Sequence, residues 1–469
     1  MMKIPSVFRR LFAEGAFNQA FVPVLSEYKQ SSDGKHDEVS ELINSVFSIL
    51  SSVLIVVTLF SYIAAPIFVL IFAPGFYFEP IKKELAIDIL QITFPYLFFV
   101  SLVALSGSIL NTYERFSLPA LTPLFYNLVL ISFGIWVAPN QQIPVYALAW
   151  GVFVAGCIQV LIQIWPLAKM KLLPKFKLNL NHPGARRVMY LMVPGIIAGG
   201  VSQINMLVDT ILASLLPTGS PSWLYVSDRL MQLPLGIFAI AIGTVILPKL
   251  SILHSEGSKD SFSKTIDWGI RLVLLAGIPA VVGLITLAEP IVLTLFERGM
   301  FTSLDTSKTS YSLIALALGL VGFMLIKVLI PGFFAQQKPH IPVKVAILSM
   351  ILNAILAWFF AFYLGYNHVG LAAASSVAAF FGVFCLLIIL KRDKIYHAHS
   401  GWLYFFLRII FASISLFLLL NFFSIEISDW RVFGTMERIM RLGSLCFAGI
   451  AIYLGALWLS GLRLKHLKN

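Results

Sequence analysis

The sequence predicts an all-α protein that crosses a membrane about thirteen times. Three observations carry that reading. Of 469 residues, 59% are hydrophobic and only 12% charged, with a mean hydropathy of +0.89; soluble domains carry about 25% charged residues. The apolar residues fall in blocks far longer than the roughly ten residues of a barrel strand and lack its alternation. At about 20 residues per helical span, about 277 apolar positions set a ceiling near fourteen spans.

Taken in order, the spans fall at 4–28, 41–72, 85–112, 119–138, 143–168, 188–216, 221–252, 264–296, 307–334, 343–365, 368–390, 402–423 and 437–461. Several are long enough to imply tilt, or ends that protrude into water. The connections are short and rich in proline and glycine, as at Leu216-Pro-Thr-Gly-Ser-Pro221, and no soluble domain interrupts them. The opening residues lack the basic, apolar, small-residue order of a cleavable signal peptide. Cys157, Cys385 and Cys446 lie inside apolar stretches without CxxC spacing and are expected to be small buried side chains, not metal ligands or disulfide partners. Prolines inside spans (Pro95, Pro194, Pro234, Pro279, Pro331) supply kinks.

The charge balance is +12. In a soluble protein that excess would suggest nucleic acid; in a membrane protein it marks sidedness, and no nucleic-acid partner is expected. One alternating set of loops holds twenty Lys and Arg, among them Lys29, Lys169, Lys171, Lys175, Lys177, Arg186, Arg187, Lys264, Lys391 and Arg392; the other holds six (Lys82, Lys83, Arg298, Lys308, Arg431, Arg438). The first set is predicted to be cytoplasmic, as is the C-terminus. Thirteen spans would then put the N-terminus outside, against Lys3, Arg9 and Arg10. A further helix upstream would resolve the conflict. Internal pattern points the same way. Two polar turns ending in proline, Asn111–Pro119 and Ala335–Pro342, are followed by Asn127 and Asn353 in the next span, six spans apart. A six-helix repeat pairs spans 1–5 with 7–11 and leaves span 6 without an upstream partner.

Ionisable groups deep in a span cost about 2.5–3.5 kcal/mol each on insertion scales and persist where they line water or bind something. Arg271 and Arg408 sit near span ends and can snorkel. In the first span Arg10 and Glu14 lie one turn apart and can pair. Ala13, Ala16 and Ala20 leave one side of that helix narrow. It reads either as a helix lining a hydrated cavity with Arg9 pointing in, or as an amphipathic helix flat on the membrane. Spans 6 and 7 form a hairpin around Gly219, with Asp209 and Arg229 each ten residues, roughly 15 Å, from the turn. They can pair, or an anionic ligand can compete for the arginine. Asp228 points about 100° away from Arg229. Lys327 in span 9 is also deep. An arginine fork matches phosphate oxygens bidentately, so two such groups in a hydrated vestibule suit a diphosphate. No P-loop or HExxH is present. The histidines lie mostly in loops (His36, His182, His254, His340, His397, His399) and read as solvated.

Four segments resemble the bacterial lipid II flippases, the MurJ or MviN family. They are RRLFAEGAFNQAFVPVLSEYK at 9–29, ILNTYERFSLPA at 109–120, SDRLMQLPLGIFAIAIGTVILP at 227–248 and KVLIPGFFAQQKPHIPVK at 327–344. The match runs in order through nearly the whole chain. The resemblance implies the MOP-exporter fold of the bacterial inner membrane: two six-helix lobes (1–170 and 184–395) around a cationic cavity, then two helices (400–469) forming a hydrophobic groove. It implies a transporter, not an enzyme, that carries undecaprenyl-diphospho-disaccharide-pentapeptide from the cytoplasmic to the periplasmic leaflet by alternating access. Another polyprenyl-linked glycan as cargo, or an inactive paralogue, is the alternative. By motif position the cavity arginines fall on Arg9 and Arg229, with Arg10, Glu14 and Asp228 beside them. No cofactor is expected; a monovalent cation such as sodium, or the membrane potential, would drive transport. Some members hold sodium, and Asp209 with Asn353 would be the site here, although Ala357 offers no second carboxylate. Membrane lipids and cell-wall synthesis or division proteins are the expected partners. The family also has a helix before the one matched by the first span.

Overall fold

The computed structural model describes residues 17–31, 36–423 and 427–462; twelve of the thirteen predicted spans fall on its helices, as does the part of the first from Phe17 on, residues 4–16 of that span lying outside the described residues. Every regular element among the described residues is helical. Eleven spans are long and apolar enough to cross a membrane. The other two predicted spans fall on Phe17–Ser31 and Pro183–Ser214. Large apolar side chains such as Leu59, Phe60, Ile63 and Trp165 are exposed. Such a surface suits hydrocarbon and not water, and helices satisfy their own backbone there.

The chain packs as two compact units, 1–215 and 216–469. In the first, the helices are α1 (Phe17–Ser31), α2 (His36–Ile63), α3 (Ala65–Phe72), α4 (Pro74–Tyr77), α5 (Pro80–Thr93), α6 (Tyr96–Thr112), α7 (Ser117–Ser132), α8 (Pro144–Lys169) and α9 (Pro183–Ser214). Prolines open α5, α8 and α9, where a missing N–H costs nothing. Phe17, Phe21 and Leu25 of α1 are fully buried with Leu42, Leu90, Leu97 and Leu105. Polar contacts tie both ends of α1: Ser108 donates to Asn18 at its start, and at its far end Lys29 Nζ donates to the Thr112 carbonyl (3.0 Å) and Arg187 pairs with Glu27 (2.8 Å). The unit takes in α9, which the sequence reading places at the head of the second lobe.

The second unit holds α10 (Ser220–Pro234), α11 (Ala241–Ser255), α12 (Lys259–Thr286), α13 (Ala288–Phe296), α14 (Ser303–Phe334), α15 (His340–Trp358), α16 (Asn367–Arg392), α17 (Trp402–Phe423), α18 (Ile427–Val432) and α19 (Thr435–Leu459). α14 is its centre, packed on α10, α12, α13 and α16. Small residues let it approach α16. A Cβ on Gly319 would stand 2.4 Å from Ser376 Oγ and 2.6 Å from Ser376 Cα, so only glycine fits there. α17 and α19 pack on each other, with Gly449 of α19 against Leu416 of α17. Arg431 joins the connection between them to α13 through Glu297 (3.1 Å) and Glu289 (3.7 Å).

The second unit repeats the first with a constant lag. His36 answers to Lys259 and Ile63 to Thr286, a lag of 223 at both ends of the helix; Ala65 and Ala288, Pro80 and Ser303, Ser117 and His340, and Pro144 and Asn367 keep it. So do the helix ends. Glu114 and Gln337 take a left-handed conformation, as do Lys171 and Lys394. Arg115 N–H closes on the Leu110 carbonyl (2.9 Å) as Lys338 N–H closes on Phe333 (3.0 Å). These are the two polar turns whose likeness is visible in the sequence. Past them α7 and α15 each run into a π-helical turn, Phe133–Val137 and Phe359–Tyr363, which begin six residues after Asn127 and Asn353 respectively.

Two details differ from the sequence reading. The spans 41–72 and 264–296 are each broken, after Ile63 and after Thr286, with a proline in the first turn of the new segment (Pro66, Pro290). A proline removes a backbone donor and crowds the preceding turn, while mean apolarity stays high across the break. Cys157 and Cys385 are only half-buried and Cys446 is exposed. On a membrane helix an exposed thiol meets lipid, so the expected enclosure is corrected; all three are free.

Candidate functional site

The best-defined candidate is one face of α10. Gly219 opens it at φ +102°, a left-handed turn in which a Cβ would also strike the Trp223 ring at 2.4 Å. Ser220, Trp223, Ser227, Leu230 and Met231 then recur at helical spacing and are buried. Trp223 Nε1 donates to Asp305 (2.8 Å) and Ser227 Oγ to the Thr309 carbonyl (2.8 Å), four residues on along both helices. The two helices therefore run parallel, and the packed face is fixed in register.

The opposite face carries the charge. Arg229 is exposed, with its guanidinium 5.1 Å above the Tyr225 ring one turn earlier. It enters no ion pair among the described residues. Asp228 is half-buried and accepts from Gln232 Nε2 (2.5 Å), so these chain neighbours serve different surroundings. Nine residues from the helix start place Arg229 about 14 Å along its axis. It lies within the candidate membrane span Ser220–Ser255. A bare guanidinium there requires water or an anion. Beyond Pro234 the helix loosens into a π-helical stretch, Leu235–Ile240, before α11. Lys327 on α14 is likewise exposed.

The remaining predicted residues stand as follows. Arg9, Arg10 and Glu14 lie outside the described residues. Asp209 is half-buried on α9 in the first unit. Asn353 is 2% exposed on α15 in the second, with Ala357 fully buried one turn on.

A buried carboxylate that the sequence reading passed over organises the connection between α16 and α17. Asp267 on α12 is 4% exposed. Its Oδ1 accepts from the Tyr396 hydroxyl (2.9 Å) and from Trp402 Nε1 (2.9 Å); its Oδ2 pairs with Arg271 Nε (2.8 Å). Arg271 also donates to the Ser400 carbonyl (3.0 Å) and lies 4.9 Å over the Trp402 ring. It is thus held by protein contacts. Burial, with Asp267 adding to it, pushes the Tyr396 hydroxyl up, which keeps it a donor. The first repeat uses the same position differently: Asn44, 223 residues before Asp267, accepts the Lys175 N–H (2.6 Å), and Ser48 the Lys177 N–H (2.7 Å). An acid four residues before a basic residue inside an apolar span was the available signal.

Two histidines also depart from the solvated reading. His182 is 8% exposed because its Nδ1 accepts from the Ala185 N–H (3.3 Å) and caps α9; burial lowers its pKa, which keeps that nitrogen an acceptor. His368, not assigned to a loop, is buried beside Trp223, ring centroids 4.7 Å apart. In the first unit Gln159 and Gln163 of α8 are buried and donate to Thr122 of α7 (3.0 and 3.1 Å), a polar tie between apolar helices.

Two repeated helical units, with eleven candidate membrane spans among the described residues, define a multi-pass membrane protein, and comparison gives its fold. An inward-facing multidrug transporter of the MATE family superposes with a TM-score of 0.67 at 13% identity, covering 84% of this chain and 89% of that one, which shows the fold. A solved lipid II flippase MurJ in an inward closed conformation gives a TM-score of 0.78 at 29% identity, covering 97% of this chain and 90% of that one. The family model described as lipid II flippase MurJ matches residues 1–440. The probable lipid II flippase MurJ of Vibrio cholerae is 42% identical over 99% of this chain and 89% of its own length. The lipid II flippase MurJ of Burkholderia cenocepacia is 36% identical over 100% and 91%. The chain belongs to the lipid II flippase MurJ family.

Proposed function

We propose that this chain moves lipid II from the cytoplasmic to the periplasmic leaflet of the bacterial inner membrane by alternating access. Its diphosphate binds Arg229 and Arg9, and the prenyl tail stays in lipid or along α17 and α19. Family membership over most of the chain supports the cargo. The exposed Arg229 inside a membrane span, on a helix whose other face is locked to α14, is the observation that supports the binding role. Arg10, Glu14 and Asp228 flank the headgroup in this reading, and the C-terminus is cytoplasmic. A monovalent cation at Asp209 and Asn353, or the membrane potential, supplies the driving force; no residue pattern for hydrolysing a nucleotide is present. Cell-wall synthesis or division proteins receive the cargo outside. Nothing in the comparisons favours a different glycan.

Competition for binding tests the cargo class. The purified chain should bind fluorescent lipid II, and unlabelled lipid II should displace it. A polyprenyl diphosphate bearing an unrelated glycan should displace it much less. Equal displacement by both would assign the site to the diphosphate alone and contradict selectivity for the peptidoglycan headgroup.

A further inference from the structure

We propose that Asp260, His397 and His399 form a binding site for a divalent transition metal ion of the zinc type, where the connection into α17 meets the first turn of α12. Each residue offers one ligand atom, and the three atoms lie within 4.8 Å of one another. Asp260 Oδ1 is 3.5 Å from His397 Nε2, and the two imidazole centroids are 4.5 Å apart. His399 Nε2 is shielded from solvent and has no hydrogen-bond partner among the described residues. A buried ring nitrogen without a partner is costly, and a metal ion would satisfy it.

The scaffold around the three is already fixed. Ser263 Oγ both donates to the His397 carbonyl (3.1 Å) and accepts the His397 N–H (3.0 Å). Tyr396 on one side is held by Asp267, and Ser400 on the other by Arg271. The closeness of the two rings places His397 and His399 on the same side of the connection. Tetrahedral bonds of about 2.0–2.2 Å place ligand atoms about 3.4 Å apart. The three atoms therefore need only small rotations, and Asp260 and His397 are exposed. Lys264 Nζ holds the other Asp260 oxygen at 2.6 Å. It orients the carboxylate so that Oδ1 faces the imidazoles, and its charge opposes a cation. Two imidazoles with one carboxylate select zinc, cobalt or nickel over magnesium or calcium. The equivalent positions of the first repeat are Asp37, Pro174 and Phe176, so the imidazoles belong to the second repeat alone. A bound ion would staple the α16–α17 connection to α12 at a second point beyond Asp267.

The full chain, purified without a polyhistidine tag and stripped of metal, is titrated with zinc against a chromogenic indicator, and bound metal is counted by mass spectrometry. One zinc per chain is expected, undisturbed by excess magnesium, with a rise in melting temperature. Loss of an outer partner alone costs about 10–100-fold in affinity. His397→Ala and His399→Ala, which lose a ligand, should weaken binding at least that much and abolish the melting shift. Both should melt normally without metal. Unchanged stoichiometry and affinity in the two histidine variants would overturn the proposal, as would a wild-type chain that takes up no zinc.

Discussion

Arg229→Ala should abolish rescue of a flippase-depleted bacterium while the protein remains in the membrane at its normal level. The two halves of that expectation rest on opposite faces of α10. The buried face, Ser220, Trp223, Ser227, Leu230 and Met231, is untouched by the change. Only the stacking of the guanidinium on Tyr225 is lost, worth about 0.5–1 kcal/mol at an exposed position. Binding loses far more. A hydrogen bond to a charged group is worth about 1.5–3 kcal/mol, and the arginine fork makes two to a diphosphate. At about 1.4 kcal/mol per factor of ten, losing both bonds should lower translocation at least about a hundredfold. Arg229→Lys keeps the charge but not the fork and should fall between. Complementation, with membrane immunoblots for protein level, gives the reading. Full rescue by Arg229→Ala would remove Arg229 from the site.

Asp267→Ala should be the most destabilising single change in the connection between the second repeat and α17. It strands the Tyr396 hydroxyl, the Trp402 indole N–H and the Arg271 guanidinium together. Breaking a buried pair by removing one partner costs about 3–5 kcal/mol. Arg271 keeps partial access to solvent, which lowers its share, so about 3 kcal/mol is expected. Asp267→Asn retains an acceptor for the tyrosine and the indole and should lose markedly less. A thermal melt of the detergent-purified variants reads the ranking Ala worse than Asn worse than wild type. Equal loss in Ala and Asn would mean that the charge on Arg271, not the shared acceptor, organises the connection.

What was legible in the sequence follows from which forces leave a linear trace. Hydrophobic blocks report spans directly, and the described part of every predicted span lands on a helix. The breaks at Ile63 and Thr286 were not legible from apolarity, because proline acts through a missing donor and not through hydropathy. The repeat showed only at two polar turns; the constant lag of helix boundaries emerges once backbone hydrogen bonds fix where each helix stops. Arg229 could be found because a charge in an apolar run is anomalous by itself. Asp267 was equally anomalous, but its meaning depends on Tyr396 and Trp402, about 130 residues away, and no spacing rule connects them. His182 was misread for a related reason: capping a helix buries a residue that composition places in a loop.

The central claim is that this chain carries lipid II between leaflets. The direct measurement reconstitutes the full chain in liposomes containing labelled lipid II and follows how much label becomes accessible to a membrane-impermeant reagent. The account predicts rapid access to the inner-leaflet pool with the wild-type chain, and slow access, close to that of empty liposomes, with Arg229→Ala. Inner-leaflet lipid II that stays protected with the wild-type chain, under an imposed membrane potential and a sodium gradient, would contradict it.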